Sequence, residues 1–451
     1  MSGRSGVAAK EDAGLLERWF RLAENGTTVR TEIGAGLTTF MTMAYIIFVN
    51  PGILSTTGMS FDGVLIATVV ATAIGTLLMA FLANYPFAMA PGMGLNAYFA
   101  FSVVLGRGIS WETALGAVFI SGVLFVLLTL SRAREAVVDA VPHGLKVAIS
   151  SAIGLFIAFI GAQNAGLIVD NPATLVGLGD LRQPGPLLAL LGTLFTAGLL
   201  SLRVKGAILW GVLATTFAGA LLGLVPWPER IIELPRLSTW STVALKLDIG
   251  AALRLGLLEI LLVFLFVDFF DTMGTLVGVS TRAGFLDERG RLPRAQQAML
   301  SDALGTVFGA LAGTSTVTTY VESASGVSAG GRTGLAAVTV AVAFLLSLLF
   351  APIVRMVADF PPATAPALIV VGALMMQVIG RIDWEDVSEA FPAFITVIAM
   401  PLTYSIATGI ALGFISYPVV KLIAGKGREV HWLVYALAVL FALRFAFLNA
   451  T

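Results

Sequence analysis

Apolar residues fill this chain in long blocks separated by short polar breaks. Blocks fall near residues 33–52, 63–83, 86–106, 111–130, 142–163, 185–201 and 207–225, and again near 257–279, 296–312, 314–330, 334–357, 362–380, 390–402 and 404–424. One long polar stretch, "PWPERIIELPRLSTWSTVALKLD", separates the two groups. Runs of this length with few charges predict helices that cross the hydrocarbon core of a bilayer. The pattern therefore predicts an all-α polytopic membrane protein with 14 transmembrane spans, seven in each half. The run "HWLVYALAVLFALRFAF" at 431–447 is left over. It is short, contains Arg444, and either lies at the interface or adds a span.

Two blocks are poor continuous helices. The third reads "NYPFAMAPGMGLNAYFAFSVV" and the tenth "LAGTSTVTTYVESASGVSAGG". Pro91, Gly92 and Gly94 break the first, and the β-branched "TSTVTT" at 314–319 favours an extended strand in the second. Short strands preceding half-helices are thus expected in spans 3 and 10. Non-helical backbone at membrane depth survives only where protein or a wet cavity satisfies it. The two breaks stand at the same place in each half. An odd number of spans per half inverts the second half, giving a 7+7 inverted repeat, the arrangement of many secondary transporters. Spans 5 and 12 support the repeat, because "DAVPHGLKVAISSAIGLFIAFIGAQ" and "ADFPPATAPALIVVGALMMQVIGRI" share a leading proline and apolar spacing. Interrupted segments at matching places point to a binding site. Close helix packing through small residues is the plainer explanation.

Charge orients the chain. With the N-terminus inside, the inner segments hold Arg4, Lys10, Arg132, Arg134, Arg289 and most other basic residues. Outside fall Arg107, Arg182, Arg230, Arg236, Lys246, Arg254 and Arg355, four of them in the long loop where the positive-inside rule is weakest. Composition agrees with a membrane protein: 57% of residues are hydrophobic and 12% charged, against about 25% charged in soluble domains. Zero net charge suggests no nucleic-acid partner. The chain has no cysteine, and its two histidines, His143 and His431, lie far apart. A cysteine or histidine metal site and a Ser/His triad are therefore not expected, nor is any cofactor. The N-terminal stretch shows no apolar signal-peptide core, and residues 14–24 form either a short amphipathic surface helix or a frayed tail.

The candidate chemistry lies where acids meet apolar runs. "FVDFFDTMGT" at 266–275 sets Asp268 and Asp271 three residues apart, on one face of the eighth span. An acid at mid-bilayer costs roughly 2.5–3.5 kcal/mol on translocon scales, so it implies a function or a partner. Glu322 follows the extended stretch of span 10, and Asn96 follows the break in span 3. Glu259 and Asp302 are weaker candidates near span ends. A carboxylate accepts hydrogen bonds when ionised and donates one when protonated, so such groups suit proton carriage. Asn96 offers a donor and an acceptor to a flat heterocycle edge. No lysine or arginine lies within these segments, which favours a neutral substrate over an anion. Phe266, Phe269, Phe270, Tyr98, Phe99 and Tyr320 are candidate aromatic walls. Plainer roles stay open: Glu322 as a half-helix cap, Asp271 bonded to Thr275 or backbone, Asn96 as an internal clamp.

These residues carry a resemblance. "RTEIGAGLTTFMTMAYIIFVNPGILSTTGM" at 30–59, "APGMGLNAYFAF" at 90–101, "FVDFFDTMGTLVGV" at 266–279, "GTSTVTTYVESASGVSAGGRTGL" at 313–335 and "MPLTYSIATGIALGFISY" at 400–417 resemble nucleobase:cation symporter family 2, in its AzgA-like purine permease branch. The resemblance implies a core domain of spans 1–4 (31–132) and 8–11 (257–358). It implies a gate domain of spans 5–7 (133–226) and 12–14 (359–425). A cytoplasmic tail (1–30), an extracytoplasmic loop (227–256) and a C-terminal segment (426–451) complete the plan. It also implies adenine, hypoxanthine or guanine as substrate, taken up with protons across the inner cell membrane, and a homodimer joined through gate domains. By position, Asn96, Asp268 and Glu322 match the family's substrate-binding residues. Asp271 matches the second acid of the eighth-span motif and joins Asp268 and Glu322 as a proton-coupling candidate. Phe269 and Tyr320 are the aromatic contacts expected nearby. An anion transporter or channel on the same fold is the alternative, and a membrane enzyme lacks a nucleophile–base pair.

Overall fold

The computed structural model describes residues 14–131, 141–254, 258–287 and 291–447. Arg4, Lys10, Arg132, Arg134 and Arg289 lie outside the described residues, as do the side chains of Arg254 and Arg444. Among the described residues, nine helices are long and apolar enough to cross a membrane: Val29–Ser55, Phe61–Ala83, Trp111–Leu130, His143–Asn164, Pro184–Ser201, Glu259–Ala283, Gly334–Ala358, Pro361–Arg381 and Ile406–Ile423. Shorter apolar helices fill Met93–Leu105, Ala207–Leu221 and Val387–Leu402. Ala295–Ala312 is a further helix, and Ser323–Ser328 a single short one. The protein is a multi-pass, helical membrane protein.

Small polar residues start the spans. The side chains of Ser60, Ser110, Thr333, Asp386 and Ser405 each accept a backbone N–H in the first turn that follows, satisfying donors that a helix N-terminus leaves open. Glu32, fully buried, accepts from the backbone N–H groups of Arg332, Thr333 and Ala336. It thereby ties the first span to the start of the eleventh.

Spans 3 and 10 are broken as the pattern implies. Strand β1 (Met89–Pro91) precedes the Met93–Leu105 helix, and β4 (Val317–Thr319) precedes Ser323–Ser328. The strands pair antiparallel, with Met89 opposite Thr319 and Pro91 opposite Val317, and both are buried throughout. Close approach needs missing side chains: a Cβ on Gly92 would lie 2.9 Å from Thr318 Cγ2, and one on Gly305 2.8 Å from Met89 Cε. Asn50 donates to Thr68 at 2.7 Å and Thr314 at 2.9 Å, joining spans 1, 2 and 10 beside the crossing.

The two sequence-similar spans, 5 and 12, pack against each other. A Cβ on Gly372 would lie 2.3 Å from the Gly154 carbonyl oxygen, so the backbones touch where both residues are glycine. At the ends that the charge pattern places outside, Arg355 bonds Asp62 at 2.7 Å and Glu233 at 2.8 Å, clasping span 2, span 11 and the long loop. At the ends placed inside, Lys421 bonds Glu389 at 2.8 Å and Glu429 at 3.3 Å.

Two features fill places that the pattern leaves open. Strands β2 (Ile168–Asn171) and β3 (Leu175–Leu178) form a hairpin after span 5. The Asn171 side chain makes the turn, accepting from the N–H groups of Ala173 and Thr174. The left-over run is a helix, Trp432–Phe447. It packs on span 14 through Phe441, whose ring lies 5.8 Å from Phe414.

Candidate functional site

The strand crossing carries polar side chains into the middle of the bundle. Asn96, four residues past Gly92 in the half-helix of span 3, is fully buried. Its Oδ1 accepts from the Ser315 hydroxyl next to β4, while its Nδ2 has no partner among the described residues. Asp268 is 1% exposed. Its Oδ2 accepts from Thr306 of span 9 at 2.8 Å, and its Oδ1 has no partner among the described residues. The Val317 N–H donates to the same Thr306 hydroxyl at 3.3 Å, which couples Asp268 to β4.

Glu322 makes no side-chain capping bond to Ser323–Ser328. Its Oε1 accepts instead from the Tyr45 hydroxyl at 2.8 Å. Tyr45 sits where the first span breaks between Met43 and Ile46. Asp271 is half-buried and within electrostatic reach of Glu322, and Asp268 of Asp271 and Asp302. The structure thus brings Asp268, Asp271 and Glu322 into one electrostatic neighbourhood.

Asp302 is the acid whose place the sequence understates. It is fully buried and accepts from the Thr272 hydroxyl at 2.7 Å and from both the N–H and the hydroxyl of Thr319 at 2.8 Å. Three donors occupy both of its oxygens, so its chemistry is that of a clamp between spans 8 and 9 and β4. Asp268, by contrast, has one oxygen paired and one buried oxygen with no partner among the described residues. The signal was present: Asp268 and Thr272, and Asp302 and Thr306, stand four apart on facing helices. Tyr45, Thr306 and Ser315 had no sequence signal beyond lying in or beside spans.

The aromatic residues divide. Phe269 is fully buried and edge-on to Phe125 of span 4 at 5.4 Å, so helix phase turns it toward that span. Tyr320 is buried, and its hydroxyl donates to the Pro91 carbonyl at 2.6 Å, bracing the end of β1. Tyr98 packs edge-on to Phe264 at 5.0 Å, and Phe99 is fully buried. Phe266 and Phe270 stack at 6.1 Å and line an apolar crevice facing spans 5 and 14. The tertiary fold also brings a cation to the middle of span 8: Lys146 of span 5 holds its Nζ 5.2 Å from the Phe270 ring centroid.

A helical membrane bundle in which two strand-broken spans cross beside buried acids is the architecture of a membrane transporter, not of an enzyme. A model described as the Permease family matches residues 30–412. The chain belongs to that family, nucleobase:cation symporter family 2. It is 47% identical to a guanine/hypoxanthine permease of Bacillus subtilis, over 94% of this chain and 98% of the relative. It is 45% identical to an adenine permease of Escherichia coli, over 97% of each. Its fold is similar to the transmembrane domain of a cyanobacterium bicarbonate transporter, with a TM-score of 0.63 at 16% identity, covering 84% of this chain and 97% of that one.

Proposed function

We infer that this protein is a purine nucleobase permease of the AzgA-like branch, importing adenine, hypoxanthine or guanine together with protons. The observation that carries the reading is the pair of open valences at the crossing. Asp268 Oδ1 is a buried acceptor and Asn96 Nδ2 a buried donor, and neither has a partner among the described residues. Buried polar atoms are normally paired, and a flat, uncharged heterocycle with N–H donors and ring-nitrogen acceptors complements this set. The relatives named for purines, matched over nearly their whole length, support the same substrate class.

In this reading 14 spans form a 7+7 inverted repeat. The core domain (31–132 and 257–358) carries Asn96, Asp268, Asp271 and Glu322, and the gate domain (133–226 and 359–425) faces them. Asp268 and Glu322 bond the polar edge of the base. Asp268, Asp271 or Glu322 takes the proton, and movement of core against gate exposes the site to each side in turn. The chain sits in the inner cell membrane with its N-terminus in the cytoplasm and pairs through its gate domain. An anion transporter on this fold is disfavoured, because the open groups at the crossing include a carboxylate oxygen.

Competition binding to the purified protein tests the substrate class. Adenine, hypoxanthine or guanine is expected to displace a radiolabelled purine, and uracil is not. Displacement by sulfate or bicarbonate, with no purine binding, would overturn it.

A further inference from the structure

Span 5 presents Lys146, Ile149 and Ile153 at spacings of three and four, which puts them on one helix face. Two of these touch the site's framework. Ile153 presses on the half-helix of span 3, where a Cβ on Gly94 would lie 2.5 Å from Ile153 Cγ2. Ile149 lines the apolar crevice opposite Phe266 and Phe270 of span 8. Lys146 completes the face, its ammonium 5.2 Å from the centre of the Phe270 ring.

Phe270 immediately precedes Asp271. Its ring is stacked on Phe266 with 9° between the planes, which gives the ammonium a fixed aromatic platform. A cation over an aromatic face is attracted by the ring quadrupole, more strongly where water is excluded. Lys146 is half-buried, with its ammonium against the Phe270 ring that lines the apolar crevice. The contact therefore joins the helix that bears the acids to a helix of the opposing domain.

We propose that Lys146 is a positioning residue of the transport cycle: its cation–π contact with Phe270 latches span 5 to span 8 in the conformation seen here. The latch rests on the core–gate reading above. Sliding of one domain past the other separates Lys146 from the ring, so the contact must break in each cycle. Losing it favours the conformation in which the crevice is open.

The chain's lack of cysteine gives a clean reporter. Ile149→Cys is placed in the otherwise unaltered protein, reconstituted in proteoliposomes, and labelled with a maleimide. Adding Lys146→Met, which keeps the stem and removes the charge, is expected to speed labelling about two- to fivefold. Lys146→Arg, which keeps the cation, is expected to label at the original rate. Phe270→Leu removes the ring from the other side and is expected to match Lys146→Met, with no further gain when the two are combined. This second variant also decides the matter should Lys146→Met fail to fold. Unchanged labelling in either charge or ring variant overturns the latch. Labelling needs no substrate, so absence of purine binding by the unaltered protein counts against the permease reading and not against the latch.

Discussion

The hydroxyl of Thr306 donates to Asp268 Oδ2 at 2.8 Å, and the same bond recurs in reverse where Thr272 donates to Asp302 Oδ2 at 2.7 Å. Spans 8 and 9 are thus joined by two crossed acid–threonine pairs. What separates the two acids is the remaining oxygen. Asp302 Oδ1 accepts from the Thr319 N–H and hydroxyl, whereas Asp268 Oδ1 has no partner among the described residues.

This difference predicts opposite phenotypes. Asp302→Asn keeps one acceptor oxygen but turns an amide donor toward either Thr272 or Thr319, both of which donate to the native carboxylate. It is expected to destabilise the protein by about 2–3 kcal/mol, the scale of lost bonds to a charged acceptor. Asp268→Asn keeps an acceptor for Thr306, so its loss of stability is expected to stay within about 1 kcal/mol while purine affinity falls. Melting temperatures of the two purified variants check the ordering, and equal losses would count against it.

Tyr45→Phe removes the hydroxyl that Glu322 Oε1 accepts. The carboxylate then loses its orientation, and purine affinity is expected to drop about tenfold, from the magnitude of a hydrogen bond to a charged group. A binding isotherm reads this directly. An unchanged Kd would show that Tyr45 does not set the position of Glu322.

Packing makes a separate prediction. Gly372→Ala would place its Cβ 2.3 Å from the Gly154 carbonyl oxygen, a backbone atom that cannot step aside. Overpacking of this kind typically costs about 1–3 kcal/mol, and less folded, monodisperse protein is expected. Gly52→Ala, which meets nothing within 4 Å, serves as the control.

One pH effect follows at the start of span 13. The Lys426 ammonium, bonded at 2.7 Å, and then the hydroxyl and N–H of Ser388 hold the Asp386 carboxyl far below the usual carboxylate range. A folded-state pKa below the unfolded one adds stability at every pH above about 3.9, the unfolded value for Asp. That contribution disappears as pH falls toward the folded-state pKa. The stability difference between the unaltered protein and Lys426→Met is expected to be flat from pH 5 to 8 and to shrink below about pH 4. A difference that varies between pH 5 and 8 would assign the effect to another group.

Local chemistry made much of this legible beforehand. Pro91, Gly92 and the β-branched run at 314–319 mark their breaks by backbone preference alone, and the structure puts β1 and β4 there. The Asn171 turn is also a local signal, but the strands beside it are only four residues each and carry little pattern of their own. Other features depend on what distant segments bring. Asp268 and Asp302 each precede a threonine by four residues, and only the donors arriving from β4 distinguish them. Lys146 reads as an ordinary residue near a span end until span 8 sets Phe270 beside it. Phe269 and Phe270 are adjacent, yet one faces span 4 and the other span 5, a distinction set by helix phase and by which neighbour packs on each side.

Uptake into proteoliposomes under an imposed pH gradient tests the central claim most directly. With an acidic exterior, the unaltered protein is expected to concentrate radiolabelled purine inside, and Glu322→Ala is expected to bind and accumulate none. Accumulation by Glu322→Ala equal to that of the unaltered protein, or uptake that ignores the gradient, would contradict the account.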